Sequence, residues 1–348
     1  MKKIFLLFTI ILTASLFISC GNKALTDDCG CFINYEDALN YSNKKKQPLL
    51  VFFTSDSDDS SAQLVSDVIK DNSFTQTIAN KYSVLHIDFS QAAYQKTVVP
   101  QNASESQQKL ANTYTTILQN NYQLAKLYGI SSTPSIFLCT KEGFVVKQLE
   151  AEEDFVSFAV FEEALNESQS ELERFNSMVS QTKKGNALQK VEAIDALYLA
   201  TAPAYRSFLI ELAQSVPELD KKNQTGLCSR YILAAAEAEA FAAYSRGDIE
   251  SAVKKYLQAA NNDFVKPEDK QECFYTAAYL SAYSGSEDYQ GLLTYLQTAY
   301  DLAPASQKAP AIKEAIDYFQ LIIDNTTESL SNSITDSINN LLNEVDAK

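Results

Sequence analysis

The first stretch of the sequence that could hold reactive groups is a polar turn after a short apolar run. Residues 51–64 read VFFTSDSDDSSAQL, in which strand-forming residues lead into Ser and Asp and then into helix formers. Nucleophiles and phosphate-binding loops are common at such strand-to-helix turns. This turn has no Cys, His or Lys, and none of the glycines that let a backbone wrap a phosphate. The interpretation that we favour is a helix start capped by a carboxylate, without chemistry of its own.

Calcium binding is an alternative for the same turn, because Asp56, Asp58 and Asp59 lie close together in the sequence. Carboxylate oxygens are preferred calcium ligands, but the usual calcium loop also needs a Gly at its sharp bend and a distal Glu. The turn has neither. No cysteine spacing resembles a zinc site either, so we expect no metal and no other cofactor.

The thiols are the second group of candidate reactive side chains. Cys29 and Cys31 are separated by one Gly and could form an exchangeable dithiol. No predicted helix start lies beside them to lower a thiol pKa, so a structural or incidental pair is the favoured interpretation. Cys139 ends an apolar run and is predicted to be a buried hydrophobic residue. His86, the single histidine, lies in the alternating run VLHIDF, where we expect a packed or edge histidine rather than a base.

The N-terminus carries the features of an export signal. Two lysines precede an apolar run over residues 4–18, and Ser19 and Cys20 follow it. The run is shorter than the about 20 residues that a spanning helix needs, and it suits the core of a signal peptide. Residues 16–20, LFISC, resemble the lipobox of bacterial lipoproteins, whose chains are cut before the Cys. The alternative is a plain secretory signal that leaves Cys20 a free thiol.

The lipoprotein resemblance implies that acyl chains such as palmitate on Cys20 hold the chain to a membrane of the bacterial cell envelope, facing the periplasm or the exterior. Loss of Lys2 and Lys3 with the signal leaves 27 of the 29 basic residues against 44 acidic residues, a net charge of −17. Such a surface repels nucleic acid, so neither DNA nor RNA is expected as a partner. An odd number of thiols remains, whose pairing is open: Cys29, Cys31, Cys139, Cys228 and Cys273.

Apolar periodicity and turn residues predict an alternating order of helices and strands after the signal. The predicted helices cover residues 35–46, 61–70, 74–81 and a long stretch that ends at residue 130. The predicted strands cover residues 49–53 and 84–89, a run that is entered through Pro134 and ends at Cys139, and residues 144–147. A polar insertion over residues 91–107 and a hairpin turn at Lys141-Glu142-Gly143 separate these elements.

Four of these stretches together resemble the thioredoxin fold, in the exported branch that has a helix before the first strand. They are the helix with Ala38 that runs into QPLLVFF, the helix at Phe74 followed by VLHIDF, the stretch LAKLYGISSTPSIFL, and the Lys-Glu-Gly hairpin. The resemblance covers residues 32–168. It implies that the Thr133–Pro134 peptide is cis and that it faces the active site.

The same resemblance places the redox C-x-x-C motif of the family on Asp58-Asp59-Ser60-Ser61, so both sulfurs are missing. Phe52 stands where the family has an acidic residue that assists proton transfer. Thiol exchange needs a thiolate stabilised at a helix N-terminus, and a carboxylate cannot form the mixed disulfide. The resemblance therefore implies a degenerate redox site at Asp58 and Ser61, with no catalytic residue.

The second half of the chain is predicted to be helical. The tripeptide Ala-Tyr-Ser occurs twice, 39 residues apart, in FAAYSRGDI from Phe241 and in LSAYSGSEDY from Leu280. The small and aromatic residues around these stretches resemble tetratricopeptide repeats over residues 229–305. Stable stacks need about three repeats, so helices at 188–199 and 204–215 are predicted to add a layer, and residues 310–324 to cap it. Predicted helix breaks lie at Lys184-Gly185, Pro203, Pro217, Pro267 and Pro304.

The sequence thus predicts five segments. They are a signal peptide (1–19), a tether (20–31), a thioredoxin-like α/β domain (32–168), an all-α, tetratricopeptide-like domain (169–324) and a polar tail (325–348). We expect a noncatalytic, membrane-anchored binding or scaffold protein whose partners are envelope proteins or peptides. The rival is a thiol-disulfide oxidoreductase that uses Cys29 and Cys31, or a thiol donated by a partner.

Overall fold

A four-stranded sheet organises the first part of the molecule. The computed structural model describes residues 24–150, 155 and 157–326, so the predicted signal peptide, Cys20 and most of the predicted tail lie outside the described residues. The strands are β1 (Leu49–Thr54), β2 (Ser83–Asp88), β3 (Ser135–Cys139) and β4 (Val145–Leu149). Their order is β2-β1-β3-β4, with β1 parallel to β2 and antiparallel to β3, and with β3 antiparallel to β4.

Strand β1 is central because its sequence, LLVFFT, is apolar on both faces, and every one of its residues is buried. A strand that is apolar throughout suits a position covered by helices on both sides. Leu50 and Phe52 point into one hydrophobic layer, whereas Val51 and Phe53 point into the other. The strand predicted at residues 49–53 is confirmed.

The helices around the sheet form these two layers. In chain order they are α1 (Tyr35–Lys45), α2 (Asp59–Leu64), α3 (Ala79–Lys81), α4 (Gln91–Gln95), α5 (Glu105–Tyr128) and α6 (Phe158–Glu167). Helices α1 and α5 supply the layer that receives Phe53, and α2 and α6 supply the layer that receives Phe52. This α/β arrangement is the one that the thioredoxin resemblance predicted.

Local sequence signals set the ends of several of these helices. The Asn34 side chain caps α1, and Ser104 with Gln107 forms a capping box at the start of α5. Gly129 ends α5 in the left-handed conformation, with φ of 68°. The predicted polar insertion over residues 91–107 therefore contains α4 and the first residues of α5.

Two helices predicted as continuous are divided in the structure. The segment predicted over residues 61–70 is α2 followed by a wider, π-type turn at Val65–Ile69. The segment predicted over residues 74–81 is a similar turn at Phe74–Ile78 followed by α3. A π-type turn closes each hydrogen bond over five residues rather than four, so it shifts which side chains face the core. In the first turn it brings the consecutive residues Val68 and Ile69 into the core together.

Residues 24–33 lie against the edge of the sheet beside β2. Phe32 donates its N–H to the Val84 carbonyl at 2.9 Å and accepts the His86 N–H at 2.8 Å. Within the predicted tether, residues 20–31, the described residue Thr26 forms a backbone bridge with Phe32. Phe32 thus supplies hydrogen-bond partners to backbone groups at the otherwise unpaired edge of β2.

The rest of the described chain is helical. It consists of α7 (Gln169–Gln181), α8 (Ala187–Ala200), a 3-10 turn (Pro203–Leu209), α9 (Ile210–Leu219), α10 (Cys228–Ser245), α11 (Ile249–Ala260), α12 (Pro267–Tyr283), α13 (Tyr289–Leu302) and α14 (309–326). The helix predicted at 204–215 is thus a tight turn followed by α9. The break predicted at Pro217 lies two residues early, because α9 continues through Pro217 and ends at Leu219. Within the described residues, none of the helices combines the length and the apolar character needed to cross a membrane.

The second part is a stack of consecutive helix pairs. The pairs α10–α11 and α12–α13 contain the two Ala-Tyr-Ser units, and α11 packs against α12. Buried alanines such as Ala236 and Ala259 let the helices approach closely. Gln271 on α12 donates to the carbonyls of Ala299 and Ala303, at 2.9 Å each, and so ties α12 to the end of α13.

The sheet and the first helices of the stack share a hydrophobic core. Phe175 on α7 belongs to the same buried cluster as Phe52 and Phe161. On the opposite face of the sheet, the rings of Tyr128 and Phe208 lie 4.6 Å apart between centroids. The helical part is therefore packed directly onto both faces of the α/β part.

Candidate functional site

The predicted degenerate redox site lies where β1 ends and α2 begins. Asp58 is the N-cap residue of α2, and its Oδ1 accepts the backbone N–H of Ser61 at 2.6 Å. Its Oδ2 accepts the Ser61 hydroxyl at 3.0 Å. Ser61 is fully buried, whereas Asp58 is half-buried. The two residues aligned with the redox cysteines are thus in contact, joined by hydrogen bonds.

Thr133 completes this contact from the loop before β3. Its hydroxyl donates to Asp58 Oδ2 at 2.6 Å, and the Thr133–Pro134 peptide is cis, as the resemblance implied. Sequence reasoning identified Thr133 only through the proline and missed the contact with Asp58. The two residues are 75 positions apart, so only the fold-level alignment brings them to one place.

The hydrogen bonds at Asp58 favour the charged form of its carboxyl group. Partial burial by itself would raise the pKa, but the Thr133 hydroxyl and the Ser61 backbone and hydroxyl donate to the carboxylate and hold the pKa below its usual value. The positive end of the α2 dipole acts in the same direction. Asp58 is therefore an anionic cap, which can accept hydrogen bonds but cannot exchange disulfides.

Phe52 supplies no proton-transfer group where the family has an acid. Its side chain is fully buried, with ring centroids 5.9 Å from Phe74 and 5.7 Å from Phe161. Edge-to-face and tilted contacts of this kind stabilise aromatic clusters beyond their burial. The residue therefore contributes to the core and offers no titratable side chain to the site.

The acidic residues of the turn diverge from one another. Asp56 Oδ2 accepts the backbone N–H of Gln91 at 2.7 Å, whereas the Asp58 carboxylate turns to Ser61 and Thr133. Across residues 24–150, 155 and 157–326, no three or more His, Cys, Asp or Glu side chains are grouped so that they could hold a metal ion. The Asp56 and Asp58 carboxylates thus accept hydrogen bonds from different parts of the chain.

The Cys29-Gly30-Cys31 turn is held by a second carboxylate. Asp27 Oδ1 accepts the backbone N–H groups of Cys29 and Cys31, at 2.9 Å each. Gly30 takes a positive φ of 80°, which the turn requires and which glycine adopts without steric cost. All the cysteines in the described residues are free thiols.

His86 connects this turn to the sheet. Its Nδ1 lies 2.7 Å from Asp27 Oδ2, and its Nε2 lies 2.8 Å from the Thr54 hydroxyl. His86 and Thr54 are both buried. The expectation of a packed histidine is confirmed, but its partners were missed because they lie 59 and 32 residues away in the sequence.

The environment of the two neighbouring thiols opposes thiolate formation. Burial first, and then the Asp27 carboxylate, raise the pKa of Cys31 far above that of an exposed thiol. The same two causes raise the pKa of Cys29, and the charge of Lys70 does not reverse the shift. Because the thiolate is the nucleophile in disulfide exchange, neither sulfur is activated in this conformation. Cys139 is also fully buried, as predicted, and burial raises its pKa to about 12.

Family models match two stretches of the chain, one in the α/β part and one in the helical part. Residues 35–169 match a family model described as a thioredoxin-like domain, and residues 227–325 match one described as an uncharacterised protein C-terminal domain. A solved structure titled DsbH Oxidoreductase covers 44% of this chain and 93% of its own, with 18% identity and a TM-score of 0.28. No curated protein sequence matches the chain.

The positions of Asp58 and Ser61 predict that cysteines placed there will form a disulfide. They lie three residues apart in the first turn of α2, where two sulfurs can reach bonding geometry with little backbone movement. We expect Asp58→Cys with Ser61→Cys to oxidise within the chain and to gain weak thiol exchange, measured by mass after alkylation and by insulin reduction. The Asp58→Cys single variant is the control. Failure of the pair to oxidise, with an unchanged circular dichroism spectrum, would show that the alignment of this turn is wrong.

Asp27 is predicted to keep Cys31 inaccessible. In a Cys29→Ser background, Asp27→Ala should speed maleimide labelling of Cys31 about ten-fold, since it frees the turn and removes the charge that opposes the thiolate. Labelling is followed by mass spectrometry. The matched control is Asp28→Ala, which removes an exposed neighbouring carboxylate. Equal labelling of the two variants would mean that Asp27 does not hold the turn closed.

Proposed function

We propose that this chain, in which a thioredoxin-like domain is followed by an all-helical domain, is a redox-inactive, membrane-tethered binding protein of the bacterial cell envelope. The observation that carries the proposal is the contact of Asp58 with Ser61 and Thr133. Asp58 and Ser61 stand at the positions of a reactive thiol pair, and their side chains can only accept or donate hydrogen bonds. The thioredoxin-like domain then serves as a folded surface instead of a catalyst.

The remaining thiols give the rival oxidoreductase function little support. Cys31 is buried, and burial with the Asp27 carboxylate raises the pKa of both Cys29 and Cys31. A catalytic dithiol needs the opposite, a stabilised and accessible thiolate. Because Cys31 is buried, the turn would have to leave the sheet before its sulfur could react.

Membrane attachment rests on the lipobox-like sequence that ends at Cys20. The described chain reaches the sheet edge soon afterwards, with a backbone bridge between Thr26 and Phe32. Six residues from Cys20 to Thr26 span at most about 20 Å when fully extended. If Cys20 carries acyl chains, the thioredoxin-like domain is held close to the membrane surface.

The proposal predicts no catalysis of insulin disulfide reduction above the rate of the buffer with dithiothreitol alone. The reason is that neither Asp58 nor the protonated thiols of the turn can attack a disulfide. Turbidity of reduced insulin is the measurement, and Cys29→Ser is the matched variant. Activity in the wild-type chain that disappears in Cys29→Ser would establish the dithiol rival.

The proposal also predicts that the chain partitions into detergent with the membrane fraction. Two or more acyl chains give stable anchoring, whereas a single chain binds membranes only marginally. We expect Cys20→Ala to release the protein or to leave its signal peptide uncleaved, as seen by detergent phase separation and by mass. Recovery of the wild-type chain as a soluble, unacylated species, in cells that process other lipoproteins, would refute the anchor.

A further inference from the structure

The segment that connects β2 to α5, residues 89–104, exposes apolar side chains to solvent. We call it the α4 segment. Tyr94 on α4 is 53% exposed, and Val98 and Val99, which follow α4, are 48% and 44% exposed. Neighbouring exposed apolar residues of this kind mark surfaces that contact proteins or membranes.

The α4 segment is nearly uncharged in an otherwise acidic protein. The chain has 44 acidic residues in 348, but residues 89–104 contain none, and their one charged residue is Lys96. Of the carboxylates that flank the segment, Asp88 accepts the backbone N–H and the hydroxyl of Ser90, at 2.8 Å each, and Glu105 begins α5. A tyrosine, a lysine and aliphatic residues without a carboxylate among them suit the interface between lipid headgroups and acyl chains.

Two ring contacts fix the α4 segment alongside α5. Phe89 stacks on Tyr122 with 4.8 Å between ring centroids, and Lys96 Nζ lies 5.8 Å from the ring centroid of Tyr114. Tyr114 and Tyr122 are eight residues apart on α5, which corresponds to about 12 Å along the helix axis. The segment therefore runs antiparallel to α5, and Val98 follows the end that lies beside Tyr114.

The N-terminal part of the chain lies beside the start of the same segment. The Leu25 carbonyl accepts the N–H of Ile33 at 3.4 Å, and the Ile33 carbonyl accepts the side-chain amide of Asn121 at 3.1 Å. Asn121 precedes Tyr122, on which Phe89 stacks. Leu25 is thus two hydrogen bonds away from α5, next to the residue that begins the α4 segment.

These lengths bring an acylated Cys20 within reach of the exposed apolar residues. The five residues from Cys20 to Leu25 span at most about 17 Å when extended, which exceeds the about 12 Å along α5 that the α4 segment follows. The anchor can therefore lie level with Val98 and Val99. Once the chain is anchored, a second contact with the same bilayer is effectively intramolecular, so a small apolar surface is enough to form it. The short link thus favours lipid as the occupant of this surface.

We propose that the α4 segment inserts Tyr94, Val98 and Val99 into the surface of the membrane that holds Cys20. The valines enter the boundary of the acyl chains, while the Tyr94 hydroxyl and the Lys96 ammonium group stay at the level of the headgroups. The inference rests on the proposed acylation and adds a second contact with the same bilayer. Two contacts fix the orientation of the thioredoxin-like domain on the membrane, which a single flexible anchor does not.

The test uses the absence of tryptophan from the sequence, because a single introduced Trp is then a specific fluorescent reporter. Val98→Trp is placed in the full lipidated chain, reconstituted into phosphatidylcholine vesicles with or without bromine on the acyl chains. We expect bromine to quench its fluorescence about two-fold, since interfacial segments bury their apolar face about 5–10 Å into the boundary. The control is Leu321→Trp, which replaces a leucine on α14 that is 59% exposed. Quenching of Val98→Trp no greater than that of Leu321→Trp would overturn the inference.

A second set of variants tests whether the valines themselves make the contact. With Tyr94→Trp as the reporter, Val98→Ser with Val99→Ser should lower the bromine quenching about two-fold, because the polar side chains oppose insertion. Leu199→Ser on α8, which also removes an exposed apolar side chain, is the matched control and should leave the quenching unchanged. Unchanged quenching in the double valine variant, or an equal loss in Leu199→Ser, would refute insertion through the valines.

Failure of this inference is distinguishable from failure of the proposed function. Flotation with the vesicles and the intact mass report the acyl anchor independently of the reporter. An acylated chain that floats, with Val98→Trp unquenched, would refute the second contact and retain the anchor. A chain without acyl mass that stays in solution would refute the anchor and the inference with it. A photocrosslinking amino acid at position 98 that captures a protein instead of lipid in cells would refute lipid as the occupant.

Discussion

The carboxylate of Asp58 holds together the two stretches that define the site, the start of α2 and the loop before β3. It accepts two hydrogen bonds from Ser61 and one from Thr133. A helix start leaves backbone N–H groups unsatisfied and presents a partial positive charge, and an anion satisfies both. A thiolate would be stabilised there by the same physics. The start of α2 can therefore stabilise an unreactive carboxylate in the same way as it would stabilise a reactive thiolate.

Sequence reasoning succeeded where the signal is local and failed where it is distant. The apolar run of β1 and the order of helices and strands follow from periodicity, and the cis peptide at Pro134 follows from the resemblance. The pairing of Asp27 with His86 could not be predicted, because two polar residues 59 positions apart produce no periodic pattern in the sequence. Residues 20–31 are predicted to form a tether from their short, polar sequence. The contact of Asp27 with His86 and the pairing of Phe32 with the edge of β2 hold this part of the chain against the sheet.

The helical part shares its hydrophobic core with the α/β part. Phe175 of α7 packs in the cluster of Phe52, and Phe208 packs on Tyr128 at the other face of the sheet. Domains joined by small polar contacts move relative to one another, whereas a continuous apolar core resists such motion. The helical part and the α/β part therefore share a continuous apolar core on both faces of the sheet.

The turn at Cys29 and Cys31 shows how one carboxylate can order a segment and suppress its reactivity together. Asp27 accepts both backbone N–H groups of the turn and contacts His86. Burial alone would raise the pKa of Asp27, but its contact with His86 and those N–H groups hold the pKa below its usual value. Its negative charge therefore persists at neutral pH, and that charge adds to burial in disfavouring a thiolate at Cys31. The contacts that hold the turn against the sheet are therefore also the contacts that disfavour a thiolate at Cys31.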